Sequence, residues 1–363
     1  MGAKNMGPPK AFKGRGALSN PGGRFERTNL EAVYDGWYLE EQPDSIATVL
    51  EPDRARGIIT TNDSPDIPFE QSINPYRGCS HGCVYCYARP SHAYMGLSSG
   101  LDFETRLFYK ADAGKVLEQE LARPGYVCKP ITLGANTDPY QPDERNMKVT
   151  RSIVEVMART RHPLSIITKG ALILRDLDLL TDLAKDNLVS VAVSITTLDN
   201  QTKRVMEPRA ASPQARLRAV RELNEAGVPT GVMVAPVVPA ITDHEMEAIL
   251  EAAAQAGARW AAYVLLRLPY EIKDLFREWL TQHFPDRAAH VMSLIRDMRG
   301  GRENDPNFGS RMRGTGPVAE LLRNRFKIAC KRFDLNSSGR EIPQPTHLFR
   351  PPVVAGSQFK LDF

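Results

Sequence analysis

From about residue 70 to residue 285 the chain alternates between two hydrophobic patterns. Short aliphatic and β-branched runs recur at 131–135 (ITLGA), 164–168 (LSIIT), 188–195 (LVSVAVSI), 228–234 (VPTGVMV) and 259–266 (RWAAYVLL), with an earlier one near 70–75. Runs of this length and composition predict strands. Between them, apolar residues at helical spacing predict helices over about 112–122, 148–160, 176–185, 213–226, 243–256 and 272–283. The punctuation agrees: Ser212 before Pro213 reads as an N-cap, and Gly227 and Gly257 follow helix ends. Persistent alternation predicts parallel βα units, in an open doubly wound sheet or a barrel. Six units are too few for a complete eightfold barrel, and no GxGxxG follows any strand. The expected fold class is therefore α/β, a partial (β/α)6 TIM-like barrel. Polar residues gather after the strands, where both architectures place their chemistry.

Outside this region the pattern is weaker. Residues 1–64 are expected to form a basic, partly disordered arm, residues 65–285 the core barrel, and residues 286–363 a basic extension. The net charge of +4 conceals a division: residues 1–27 carry +5 and residues 299–332 carry +6, whereas residues 28–298 carry −7. Basic flanks suit a polyanion such as nucleic acid, and equally a solvated surface. In the extension, Arg311 and Arg313 are candidate phosphate contacts. The helix around 317–332 also reads as a packing helix, with Val318, Leu321, Leu322, Phe326 and Ile328 toward the barrel. No apolar run has the roughly 18 residues of a membrane span, and the best candidate, 260–269, is broken by Arg267 and Pro269. The start of the chain lacks the apolar segment of a secretory signal, so a cytoplasmic protein is expected.

The chemistry enters with the cysteines. Cys79, Cys83 and Cys86 have the spacing C-x3-C-x2-C, while Cys128 and Cys330 stand alone. Three thiolates on one short Gly-flanked loop favour an iron–sulfur cluster. Zinc would need a fourth protein ligand, for which His81 and His92 are the local candidates. A [4Fe–4S] cluster held by three cysteines keeps one iron open to a small molecule. Elsewhere, Glu207 and Arg209 in Met206-Glu-Pro-Arg209 could pair with each other or line the site. Residues 231–239 and 263–266 would supply apolar walls.

The C-x3-C-x2-C loop, with Tyr85 before its last cysteine, resembles that of the radical S-adenosylmethionine superfamily over roughly residues 65–285. The longer match, Tyr76-x-Gly-Cys-x3-Cys-x-Tyr-Cys-Tyr87 with TDPY at 137–140, looks like the branch related to spore photoproduct lyase. The resemblance implies a partial (β/α)6 barrel, a [4Fe–4S] cluster on the three cysteines, and S-adenosyl-L-methionine chelated at the open iron. It further implies reductive cleavage to a 5′-deoxyadenosyl radical that abstracts a substrate hydrogen atom, with a flavodoxin or ferredoxin as reductant. By the same resemblance, Asn136, Thr137 and Asp138 would bind the methionine amino group and Lys169 its carboxylate. Ser194 and Thr196 would bind the ribose, and Tyr85 would belong to the cofactor site. Tyr87 matches a tyrosine implicated in radical or hydrogen transfer. Asn136 stands where the lyase has a hydrogen-donating cysteine, so lyase activity itself is not expected unless Cys128 or Cys330 folds in. The expected substrate is nucleic acid, with the same chemistry on a protein or small molecule as the rival. A non-catalytic cluster- or zinc-containing nucleic-acid module is the reading from another class.

Overall fold

In the computed structural model, residues 11–25, 44–337 and 344–353 are described. Residues 1–10 and 26–43 of the expected arm, and the end of the extension, lie outside them. Five short strands precede the regular part of the chain: β1 (Val49–Pro52), β2 (Ile59–Thr61), β3 (Gln71–Ile73), β4 (Tyr76–Arg77) and β5 (Arg106–Tyr109). The predicted runs then appear as β6 (Ile131–Leu133), β7 (Leu164–Thr168), β8 (Val189–Ser194), β9 (Thr230–Val237) and β10 (Trp260–Leu265).

The main sheet has the order β10-β9-β8-β7-β6-β3-β2. Its six strands from β3 to β10 are mutually parallel, and β2 adds antiparallel to β3 at one edge. This is the partial (β/α)6 barrel that the alternation predicts. The strands read as near-continuous apolar runs because helices cover their outer face; Val189, Val191, Ala192 and Val193 of β8 are all buried. Each covering helix buries one stripe, such as Ile153, Val154 and Met157 in Val149–Thr160, or Ala219, Val220 and Leu223 in Pro213–Glu225. The Ser212 hydroxyl accepts the Ala215 N–H at 3.2 Å, and Gly227 and Gly257 adopt φ of 81° and 92° past helix ends.

Three features went unpredicted. A second sheet, β1-β5-β4, frames the cysteine loop. Pro285–Asp297 forms another helix, packed on Ile272–His283 through a core that includes Phe276, Trp279, Val291 and Ile295. The C-terminal segment, in turn, covers the exposed edge of β10. Asn336 acts there as a surrogate strand: its side-chain oxygen accepts the Ala261 N–H at 3.0 Å, its amide donates to the Ala261 carbonyl at 3.2 Å, and its own N–H bonds the Arg259 carbonyl. Farther along, the Leu265 N–H donates to the Met312 carbonyl. Arg311 in the same turn forms a two-pronged ion pair with Asp66, at 2.7 and 2.5 Å. Asp66 lies between β2 and β3, at the opposite edge of the sheet, so this pair spans the opening of the barrel. The pairing corrects the expectation that Arg311 contacts phosphate. Helix Gly316–Arg332 packs through Ala319, Leu322, Phe326, Ala329 and Cys330, whereas Leu321 and Ile328 face solvent, contrary to the predicted stripe.

Candidate cofactor and substrate site

The cysteine loop begins directly after β4. Gly78 and Gly82 take φ of 76° and 70°, and a Cβ on Gly78 would lie 2.9 Å from the Phe103 carbonyl oxygen. Only glycine fits such a turn. The loop is held from both sides. Gln141 Oε1 accepts the Ser80 N–H at 2.7 Å. Arg89, fully buried, donates to the carbonyls of Cys83, Gly100 and Ser99 and pairs with Glu104. Glu104 also accepts the N–H groups of Gly16 and Ala17 at 2.9 and 2.8 Å, while Arg15 reaches the Glu104 carbonyl. The N-terminal segment is thereby fastened onto the loop, so closely that a Cβ on Gly16 would stand 1.9 Å from the Gly82 carbonyl oxygen.

The three thiols are free of disulfides, and Cys79 and Cys83 are buried. Burial pushes Cys83 up to about 12 and raises Cys79 and Cys86. Such thiols become thiolates only when a bound metal replaces the lost solvation. The surroundings act both ways: Asp138 disfavours a thiolate at Cys79 and Glu207 one at Cys83, whereas the His81 N–H favours it at Cys79, those of Ala88 and Arg89 at Cys86, and Lys169 at both Cys83 and Cys86. Among the described residues no three His, Cys, Asp or Glu side chains gather around a single ion position. The donor set fits an iron–sulfur cluster, whose thiolates bind separate irons. His92, a candidate zinc ligand, has Nε2 2.9 Å from the Arg106 carbonyl oxygen and packs edge-on against Phe103. His81 Nδ1 lies 3.4 Å from Asp138.

Beneath the loop is a buried network. Glu207 accepts from the Tyr85 hydroxyl, from Thr196 Oγ1 at 2.8 Å and from Arg216. Burial alone would raise its pKa, but the Arg216 and Lys169 charges and the hydrogen bonds hold it down to about 2. Arg216 also donates to the Ser194 and Ala211 carbonyls. The expected Glu207–Arg209 pairing is therefore replaced: Glu207 binds Arg216, and Arg209 turns to Thr48 Oγ1 at 3.0 Å. Thr196, expected on a ribose, spends its hydroxyl on Glu207 and the Ala235 carbonyl.

The other strand ends divide in the same way. Asp138 accepts from the Tyr140 N–H, Thr168 Oγ1 and the Lys169 N–H at 2.9, 2.6 and 2.7 Å. Burial opposes its ionisation, but nearby His81 and these hydrogen bonds hold it down to about 2. Asp138 thus ties the ends of β6 and β7 together, and Thr137 donates to the Tyr76 carbonyl at 2.8 Å. Both side chains are thus engaged within the fold, Asp138 as an acceptor and Thr137 as a donor. Asn136 is held by its N–H on Asn74, which leaves its side-chain amide uncommitted. Among the described residues, the Lys169 ammonium, 5.8 Å from the Tyr85 ring centre, has no hydrogen bond or ion pair, and the Ser194 hydroxyl at the end of β8 has no hydrogen bond. Tyr87 bonds the Ala135 carbonyl through its hydroxyl, which sets its half-exposed ring beside Asn136. Cys128 precedes the far end of β6, and Cys330 is packed in its helix, so neither reaches this rim. Sequence reasoning missed Arg89, Glu104, Gln141 and Arg216. Each looks like an ordinary surface polar residue until the loop folds over it.

An α/β partial barrel with a three-thiol loop on its first unit defines a cofactor-dependent enzyme fold. The chain belongs to the radical SAM superfamily, whose model matches residues 73–253. Members of this superfamily catalyse radical reactions and imply S-adenosylmethionine and a [4Fe–4S] cluster. The chain is 35% identical over 291 residues to an uncharacterized protein of Mycobacterium tuberculosis, covering 80% of this chain and 82% of that one. It is 23% identical over 273 residues to a protein of Pseudomonas phage M6 described as a radical SAM Nalpha-GlyT isomerase, covering 74% of this chain and 52% of that one. The fold is similar to that of spore photoproduct lyase complexed with dinucleoside spore photoproduct, at a TM-score of 0.55 and 18% identity, covering 78% of this chain and 79% of the other. Among the described residues no helix is long and apolar enough to cross a membrane.

Proposed function

We propose that this protein holds a [4Fe–4S] cluster on Cys79, Cys83 and Cys86, binds S-adenosyl-L-methionine beside it, and removes a hydrogen atom from a nucleic-acid substrate. The observation that carries the reading is three disulfide-free thiols on one glycine-hinged loop, with backbone N–H groups at Cys79 and Cys86 and the positive charge of Lys169 acting on Cys83 and Cys86. When bound, the reduced cluster supplies the electron that splits the cofactor's S–C5′ bond into methionine and a 5′-deoxyadenosyl radical. The chain's own groups do the positioning. Lys169 offers a point charge to the methionine carboxylate, the Asn136 amide faces its amino group, and the Ser194 hydroxyl serves the ribose. Thr137, Asp138, Thr196 and Tyr85 fix the strand ends that carry those groups. Tyr87, beside Asn136, is the residue proposed to contact the substrate radical. A flavodoxin or ferredoxin is the proposed reductant, and a thiolate-ligated cluster suits the reducing cytoplasm. Support for nucleic acid comes from the fold similarity to a lyase solved with a dinucleoside photoproduct.

The test is anaerobic reconstitution with iron and sulfide, then reduction in the presence of S-adenosylmethionine. Release of 5′-deoxyadenosine and methionine is expected from the wild type, with loss of both cluster absorption and cleavage in Cys83→Ala. A wild type with an intact cluster that releases neither product overturns the enzymatic reading. Deuterium transfer into 5′-deoxyadenosine from labelled peptide, and not from labelled oligonucleotide, overturns the substrate class.

A further inference from the structure

The end of β10 carries a cation that the fold does not use. Arg267 follows Leu265, the last residue of the strand, and so reaches the same C-terminal rim as Lys169 and Asn136. Its Nε is buried without a hydrogen-bond partner, and Nη1 touches only the soft sulfur of Met312, at 3.7 Å. No carboxylate among the described residues forms an ion pair with it. The nearest acids are committed elsewhere, Asp66 to Arg311 and Asp305 to Ser310 and Asn307. The neighbouring arginines are fully used: Arg299 donates to the carbonyls of Ser310, Arg311, Leu265 and Leu266, and Arg311 grips Asp66. Of these three arginines, Arg267 is the one whose buried Nε has no acceptor among the described residues, and leaving such a donor unpaired costs free energy that a bound acceptor would recover.

What lies beside it narrows the chemistry. Tyr87 is near enough to Arg267 to interact electrostatically, and its ring is 49% exposed while its hydroxyl is tied to the Ala135 carbonyl. A guanidinium and a half-exposed aromatic ring in the same neighbourhood suit a phosphodiester with an adjoining base, since the planar fork takes phosphate oxygens and the ring takes a base by stacking. A carboxylate would use the guanidinium but leave the ring without a partner.

Resting on the enzymatic reading above, we propose that Arg267 anchors a backbone phosphate of a nucleic-acid substrate and thereby sets the attached base against Tyr87. The full-length, cluster-loaded protein is titrated with thymidylyl-(3′→5′)-thymidine and with its uncharged methylphosphonate analogue. Wild type should prefer the phosphodiester by about tenfold or more, the effect of one charge-assisted hydrogen bond. Arg267→Gln should bind both probes alike, and Arg267→Lys should keep part of the preference, having the charge without the fork. Iron content and melting temperature of each variant report on folding separately. Retention of the full preference in Arg267→Gln, or its absence from the wild type, overturns the proposal. An Arg267-dependent preference for an acetylated tripeptide carboxylate over its amide, without one for the phosphodiester, does so as well. Release of 5′-deoxyadenosine by the wild type without either probe belongs to the enzymatic reading. If that release fails while the phosphodiester preference stands, the reading falls and the anchor remains.

Discussion

Glu207 shows how much of the site is held from below. It is fully buried, and its two oxygens serve Tyr85, Thr196 and Arg216 at once. Glu207→Gln removes the charge that Arg216 is buried against and should cost about 3–5 kcal/mol. Denaturant unfolding of the cluster-free protein measures this directly, and a loss within experimental error would remove Glu207 from its assigned place. The residue was visible in the sequence in a Pro-containing segment before the helix capped by Ser212, but its partner was not. Arg209, two residues away, is the natural guess from spacing, yet its side chain reaches Thr48 while the helix capped by Ser212 brings Arg216 to Glu207. The three cysteines were legible for the opposite reason: the cluster-holding role proposed for them needs them close together in the chain, so spacing alone suggests it. Arg89 and Glu104 also serve the loop, but Glu104 owes its role to backbone groups contributed by residues 16 and 17, a contact that no local pattern encodes.

At the scale of elements, the six parallel strands and their helices were legible because one period follows another and glycine or a cap marks each change. The short strands β1, β2, β4 and β5 were not. With two to four residues each, they have no period to detect; β1, β4 and β5 pair around the cysteine loop, and β2 pairs with β3 at the edge of the main sheet. The cover on β10 was hidden too, since a single asparagine does the work of a strand. Asn336→Ala should cost about 1–3 kcal/mol by leaving edge groups without partners. Amide exchange provides the specific measurement: the Ala261 N–H should lose protection while those within β7 and β8 keep theirs. Unchanged protection at Ala261 would show that another group covers the edge.

For the molecule as a whole, the pair between Arg311 and Asp66 joins the two ends of an open sheet. Both side chains are mostly buried, at 14% and 10% exposure. The hydrogen bond from Arg311 holds the Asp66 carboxyl below its ordinary pKa, against the opposing effect of burial. A depressed folded-state pKa means the contribution is complete above the unfolded value of about 3.9 and is lost as pH falls through the lower folded value. Asp66→Asn should therefore reduce stability by about 1 kcal/mol near neutrality and flatten the acid limb of the stability curve. Parallel unfolding of the two proteins from about pH 6 to about pH 3 measures both effects, and curves offset equally at every pH would exclude the ion pair as their cause. The basic flank that suggested a polyanion site is thus partly consumed in closing the barrel.

The apposition of Gly16 on Gly82 bears on how the metal site is filled. Residues 15–17 lie over the outer side of the cysteine loop, hydrogen-bonded to Glu104, with no room between the two backbones for even a methyl group. For the proposed cluster, iron and sulfide delivered after folding would then be expected to enter through the mouth of the barrel, or after this segment lifts. A bulky fusion that pulls residues 15–17 away would leave the loop open from behind, and a cluster held there as proposed should then be lost in air faster than from the intact chain.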